Sequence, residues 1–89
     1  MLAAVNLKRA ILLEYRRVHD GAPELPYLHA RDALRGRLGL DYDLLAPHVR
    51  ELEQQRFLHW KAQDLYKLSP RGLRVTVDPA ELDREFPEE

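Results

Sequence analysis

The spacing of apolar residues changes character within residues 44–72, and this change constrains the fold more than any other feature of the chain. The first part of the stretch carries apolar residues at helical intervals, whereas residues 57–60 and 65–68 alternate in the manner of β-strands. The polar residues 61–64 between the two strands fit a four-residue hairpin loop. The stretch therefore predicts a helix followed directly by a β-hairpin.

Capping signals and helical spacing define the remaining elements. Asp43 fits the N-cap of the helix that ends at Gln55, with Pro47 in the opening turn of that helix. Ser69 followed by proline fits the start of a short helix or an extended segment through Val77, and Asp78 followed by proline fits the N-cap of a last short helix. The other expected elements are a long first helix over residues 2–19, a short edge strand at residues 27–28 and a helix over residues 29–38.

The long first helix carries apolar residues on two sides. One side forms a continuous stripe that includes Ile11 and Tyr15. The opposite side carries Leu2, Val5 and Leu12. Because a helix with two apolar faces needs a packing partner on each, the second face has two readings. It is covered either by the C-terminal segment or by a second copy of the chain in a homodimer, and the sequence favours neither.

The length of 89 residues predicts one domain over residues 1–89, with a core over about residues 2–77. Residues 78–89 hold six acids and one base, a net charge of −5. Residues 1–77 hold 13 bases and nine acids, a net charge of +4. The overall charge of −1 therefore hides a basic body, which permits a polyanionic partner.

Several classes of function are disfavoured. The chain has no cysteine, so disulfides and thiolate metal sites are excluded. No apolar run approaches the ~20 residues that span a bilayer, and no signal peptide is evident, so a cytoplasmic location is expected. The four histidines lack the spacing of a helical metal site, and no catalytic constellation is visible. We therefore expect no metal, no cofactor and no enzymatic activity.

Three short motifs in the second half of the chain carry a resemblance to a known family. They are Leu52-Glu53, Arg56-Phe57-Leu58 and the run Tyr-Lys-Leu-Ser-Pro-Arg-Gly at residues 66–72. The chain resembles the winged helix-turn-helix superfamily of small bacterial transcription regulators. The resemblance implies an α+β, mainly helical fold with a three-helix core and a two-stranded wing, extended by a long N-terminal helix and a short C-terminal helix. In that pattern glycine usually stands at the position of Arg56.

The resemblance implies a transcription-regulator-like homodimer that binds double-stranded DNA. The helix over residues 44–55 would be the recognition helix, and the helix over residues 29–38 would lie across the DNA backbone. Base contacts are expected from His48, Arg50 and Gln54; phosphate contacts from Arg31, Arg35 and Lys61; and a dimer interface from Leu2, Val5 and Leu12.

Two alternatives to duplex-DNA binding remain. The exposed face of the predicted recognition helix carries Asp43, Arg50 and Glu51, a charge of −1 that opposes phosphate binding. A winged helix that binds another protein instead of DNA fits this face. The second alternative is a single-strand binder that stacks bases on Trp60 or Tyr66, although such aromatic residues on facing strands more often form a cross-strand pair.

Overall fold

The computed structural model of the protein describes residues 4–31 and 38–87, with side chains from residue 6 onward. The fold class is α+β and mainly helical, as expected. Within the described residues, no helix is long and apolar enough to cross a membrane. The elements in chain order are α1 (Ala4–Gly21), β1 (Leu28–His29), α2 (Tyr42–Gln54), β2 (Leu58–Ala62), β3 (Leu65–Leu68), α3 (Pro70–Val77) and α4 (Pro79–Glu85).

The helix predicted over residues 29–38 falls largely outside the described part of the chain. Residues 30–31 and residue 38 are helical, and residues 32–37 are not described. The predicted phosphate contact Arg35 therefore lies outside the described residues, as do Leu2 and the side chain of Val5.

The three strands form one antiparallel sheet in the order β1-β3-β2. Leu28 pairs with Tyr66 and His29 with Leu65, so the predicted short edge strand is present but lies at residues 28–29 instead of 27–28. The predicted four-residue hairpin loop is wrong, because β2 continues through Ala62 and only two residues form the turn. The register shifts between Trp60 and Ala62, and Asp64 closes the turn with a φ of 60°. Aspartate tolerates this left-handed conformation better than most side chains do.

Leu12 is fully buried in the core, so its predicted place on a dimer surface is wrong. Helix α1 packs against α2, β3 and α3 of the same chain, which encloses more than one side of it. Ile11 and Tyr15 are also fully buried. The hydroxyl group of the buried Tyr15 has a hydrogen-bond partner, because it donates a hydrogen bond of 3.1 Å to the carbonyl oxygen of Leu28.

The acidic C-terminal segment packs onto the body of the protein. Leu82 and Phe86 are buried, and the Phe86 ring meets the Phe57 ring edge-on at a centroid distance of 5.1 Å. Arg9 of α1 donates to the Asp83 carboxylate at 2.7 Å and to the Phe86 carbonyl oxygen at 2.9 Å. The C-terminal segment therefore covers part of α1, as one of the two readings of the second apolar face expects.

Helix α2 begins earlier than predicted. Asp41, not Asp43, occupies its N-cap position, and the Asp41 side chain makes no cap hydrogen bond. Asp43 lies in the first turn, where a carboxylate interacts favourably with the helix dipole. Pro47 consequently lies in the second turn rather than the first, on the exposed side of the helix. Solvent at that side can satisfy the carbonyl oxygen that a proline leaves without a donor.

Candidate nucleic-acid interface

The C-terminal end of α2 closes in a Schellman motif with an arginine at the position that favours glycine. The Phe57 amide donates to the Leu52 carbonyl oxygen at 2.8 Å, and the Arg56 amide donates to the Glu53 carbonyl oxygen at 3.0 Å. Arg56 adopts a φ of 67°. The Ser69 hydroxyl also donates to the Arg56 carbonyl oxygen, so this residue is fixed from both sides. A left-handed backbone conformation of this kind favours glycine, so an arginine is unusual at this position.

Arg56 opens onto a groove of about 700 Å³ between the end of α2, the start of α3 and strand β2. Arg71 and Arg74 of α3 line the same groove, and Glu53 is the one acid among the described residues that line it. These four side chains give the groove a formal charge of +2. None of the three arginines forms an ion pair with another described residue. Their charge is therefore available to an anionic ligand.

Arg71 is held in place within this groove by uncharged partners. Its Nη1 donates to the Gln55 carbonyl oxygen at 2.6 Å, at the end of helix α2. Its guanidinium carbon lies 4.2 Å from the centroid of the Phe57 ring, a cation–π contact. Both contacts restrict the side chain without neutralising it, so Arg71 is pre-positioned as a cation.

Trp60 also lines the groove, and 52% of the residue is exposed. Its cross-strand partner is Tyr66, which is only 8% exposed. The two aromatic residues are thus a cross-strand pair, as the pattern favours, but an unequal one. Tyr66 belongs to the core, while Trp60 keeps about half of its surface open to a ligand.

The exposed face of α2 is contiguous with this groove. Arg50 and Gln54 are both exposed, and Gln54 is also a lining residue of the groove. His48 does not join them. It is half-buried, and its Nδ1 atom is enclosed without a hydrogen-bond partner among the described residues. Of the three predicted base contacts, the structure therefore places Arg50 and Gln54 together and His48 apart.

Lys8 changes the electrostatics of the α2 face. Its Nζ lies 2.5 Å from the Glu51 Oε2, and this contact lowers the pKa of Glu51, first through the hydrogen bond and then through the charge of Lys8. The formal charge of −1 that the sequence predicts for this face counts Asp43, Arg50 and Glu51 but not Lys8. With Lys8 included, the formal charge of the face is zero.

Asp64 connects the hairpin turn to the start of α2. Its carboxylate accepts 2.8 Å and 2.9 Å hydrogen bonds from the Tyr42 hydroxyl and the Arg31 amide. Burial, followed by the hydrogen bond from Tyr42 to Asp64, raises the pKa of Tyr42 to about 12. The Arg31 guanidinium lies over the Tyr42 ring at 5.3 Å. Arg31, a predicted phosphate contact, is exposed, and its amide and guanidinium make these two contacts.

Two lysines lie beside one aromatic ring on the sheet. Lys61 of β2 and Lys67 of β3 have their Nζ atoms 4.5 Å and 5.1 Å from the centroid of the Tyr27 ring. Lys61, the third predicted phosphate contact, is exposed. These lysines form a second cationic area, separate from the arginine-lined groove.

Sequence reasoning missed four basic residues that shape this surface: Lys8, Arg56, Arg71 and Arg74. Only Arg56 carried a signal, because it stands where the winged-helix resemblance leads us to expect glycine. In the described part of the chain, no three histidine, aspartate or glutamate side chains converge as metal ligands do.

Comparisons of the chain with protein-family models, with curated proteins and with solved structures find no significant match.

Proposed function

We propose that this protein is a winged-helix DNA-binding protein that contacts duplex DNA through the C-terminal half of α2 and the arginine-lined groove beside it. In this proposal α2 is the recognition helix, and the β2–β3 hairpin is the wing. The observation that carries the proposal is the shared position of Gln54. Gln54 belongs both to the exposed face of α2 and to the groove, so Arg50 and the three groove arginines border one surface.

The chemistry of this surface fits DNA in two ways. Arg50 and Gln54 are one helical turn apart and exposed. Arginine pairs with a guanine edge through two hydrogen bonds, and glutamine pairs with an adenine edge in the same manner. Arg56, Arg71 and Arg74 supply the unpaired charge that phosphates require. The surface thus offers both base recognition and backbone attraction.

The distribution of acids indicates which half of α2 faces the DNA. Asp41 and Asp43 lie at the N-terminal end of the helix, where they would repel phosphates. Glu51 and Glu53 lie farther along, but Lys8 offsets the charge of Glu51, and the three groove arginines outnumber Glu53. The C-terminal half is therefore the more favourable side for a polyanion.

Charge-matched variants test the proposal. Arg74→Gln removes one groove charge, and Arg84→Gln removes an equivalent charge from an exposed arginine of α4 outside the groove. Both side chains are exposed, so neither change should unfold the protein. At ~50 mM salt, where the phosphate attraction is strong, Arg74→Gln should weaken binding of a labelled duplex several-fold. Equal effects of the two changes, or no binding by the unmodified protein, would refute the proposal.

A second candidate function is protein binding through the N-terminal half of α2. Leu44 is 60% exposed and lies one turn from the exposed Pro47, beside Asp43. This apolar spot with an adjacent acid suits a protein surface better than a phosphate backbone. Sedimentation equilibrium of the unmodified protein and of Leu44→Lys tests whether the protein partner is a second copy of this chain. A dimer that becomes monomeric in the variant would support this candidate, and a monomer in both cases would oppose a homodimer through α2.

A further inference from the structure

We infer that the groove binds an unpaired nucleotide of a single-stranded nucleic acid, with the base stacked on Trp60 and the phosphates held by Arg56, Arg71 and Arg74. The inference rests on the proposed nucleic-acid function and adds a single-stranded ligand to the duplex. The groove has the size of a small-ligand site, since its volume of about 700 Å³ lies within the range of such sites.

Trp60 has the position that base stacking requires. It lies on β2, which is an edge strand of the described sheet, and about half of its surface is open. Tyr66 provides the buried aromatic contact of the hairpin, so the fold does not require Trp60 to be covered. Every base has a π-face, and stacking on an exposed indole therefore suits single strands of any sequence.

The arginines complete the site with charge that the protein does not neutralise itself. Arg71 is fixed by the Gln55 carbonyl oxygen and the Phe57 ring, which lowers the entropic cost of fixing a phosphate there. Arg56 holds its side chain at the groove despite a backbone conformation that disfavours any side chain. Strained residues of this kind cluster at binding sites. An arginine at this position is explained if its guanidinium contacts a ligand.

An acidic peptide would find the same cations, but it would leave the exposed indole without a partner. A nucleotide uses both halves of the groove, because it carries a planar ring and a negative charge a short distance apart. The combination of Trp60 with three arginines therefore favours a nucleotide over a peptide.

The intrinsic fluorescence of Trp60 provides the experiment, because it is the only tryptophan of the chain. The protein is titrated at ~50 mM salt with single-stranded oligothymidylate, and labelled duplex DNA is titrated in parallel by anisotropy. We expect saturable quenching by the single strand. Labelled oligothymidylate should bind Trp60→Ala and Arg56→Gly roughly tenfold or more weakly, while Arg84→Gln binds it as the unmodified protein does.

Arg56→Gly also controls for unfolding, because glycine relieves the backbone strain and should not destabilise the protein. Duplex binding without quenching by the single strand would overturn the inference and leave the proposed function intact. Binding of neither ligand would overturn both. Equal quenching by polyglutamate would show a general polyanion site and would overturn the assignment to a nucleotide.

Discussion

The ammonium group of Lys8 lies 2.5 Å from the carboxylate of Glu51, and this ion pair joins the first helix to the exposed face of α2. Glu51 would otherwise place a negative charge beside Arg50, on the face that we propose contacts DNA. Lys8 of α1 therefore changes the charge of the candidate interface, although α1 need not touch the DNA.

Lys8→Gln should weaken DNA binding, because it leaves the Glu51 charge uncompensated. Glu51→Gln should have the opposite effect and strengthen binding. In the double variant both charges are absent, so its affinity should return close to that of the unmodified protein. Anisotropy titrations of the three variants at one salt concentration provide the measurement. A weaker complex with Glu51→Gln would contradict this account of the face.

The same pair predicts a direction for acid stability. Lys8 lowers the pKa of Glu51 in the folded protein, so the stability that the pair contributes is present above the ordinary glutamate pKa. It is lost as the pH falls through the lowered pKa. Lys8→Gln should consequently show a smaller loss of stability on acidification, measured by urea unfolding across the acidic range. An unchanged acid dependence would indicate that the pair contributes nothing in solution.

Arg56→Gly should stabilise the protein by about 0.5 to 1 kcal/mol, because glycine adopts the φ of 67° without steric cost. Urea unfolding measures the change. Arg56→Ala is the matched control, since alanine keeps the strain and should leave the stability nearly unchanged. Gly39→Ala should be destabilising, because Gly39 has a φ of 66°. A loss of stability in Arg56→Gly would mean that the arginine side chain supports the fold.

Gly72→Ala should destabilise the protein by about 3 kcal/mol. A methyl group on Gly72 would overlap the carbonyl oxygen of Phe57 and lie 2.9 Å from the Leu68 Cδ2. The carbonyl of Phe57 also accepts the Ser69 amide at 3.1 Å, so it cannot move freely. Thermal or urea unfolding tests this packing. The matched variant is Gly21→Ala, where an added methyl group would meet no atom within 4 Å.

Tyr42→Phe should alter the alkaline stability of the protein. The Tyr42 pKa is raised from 10.0 to about 12 in the folded state, so the stability that the protonated Tyr42 hydroxyl contributes is fully present below pH 10. That contribution is lost as the pH rises from 10 toward about 12. The variant should lose less stability across this range than the unmodified protein, as judged by urea unfolding at several pH values. Parallel losses would show that the pKa of Tyr42 is not raised in the folded protein.

Local patterns were sufficient to predict most of the elements. The Ser69-Pro70 signal is confirmed, since the Ser69 hydroxyl accepts the Gly72 amide at 3.1 Å. Leu28 pairs as the expected edge strand. The start of α2 was misplaced because Asp41 and Asp43 carry equivalent local signals. The hairpin loop was overestimated because the turn depends on the left-handed conformation of Asp64, which alternation of apolar residues does not reveal.

The candidate site was less predictable, because tertiary packing assembles it. Helical spacing alone identified Arg50 and Gln54 as exposed. It could not show that Arg71 and Arg74 of α3 would meet Arg56 at one groove, nor that Lys8 would reach across from α1. These relationships depend on where the helices and strands pack against one another. That placement results from many weak contacts acting together, which no local pattern reveals.

The most direct test of the central claim is the salt dependence of duplex-DNA binding, measured by anisotropy between ~50 and ~200 mM salt. Three groove arginines together with Arg31 and Lys61 predict a slope of log K against log salt of about −3 to −5. Replacing Arg56 and Arg71 by glutamine should reduce this slope by nearly two. Absence of binding at ~50 mM salt, or a slope that the double replacement leaves unchanged, would contradict the account.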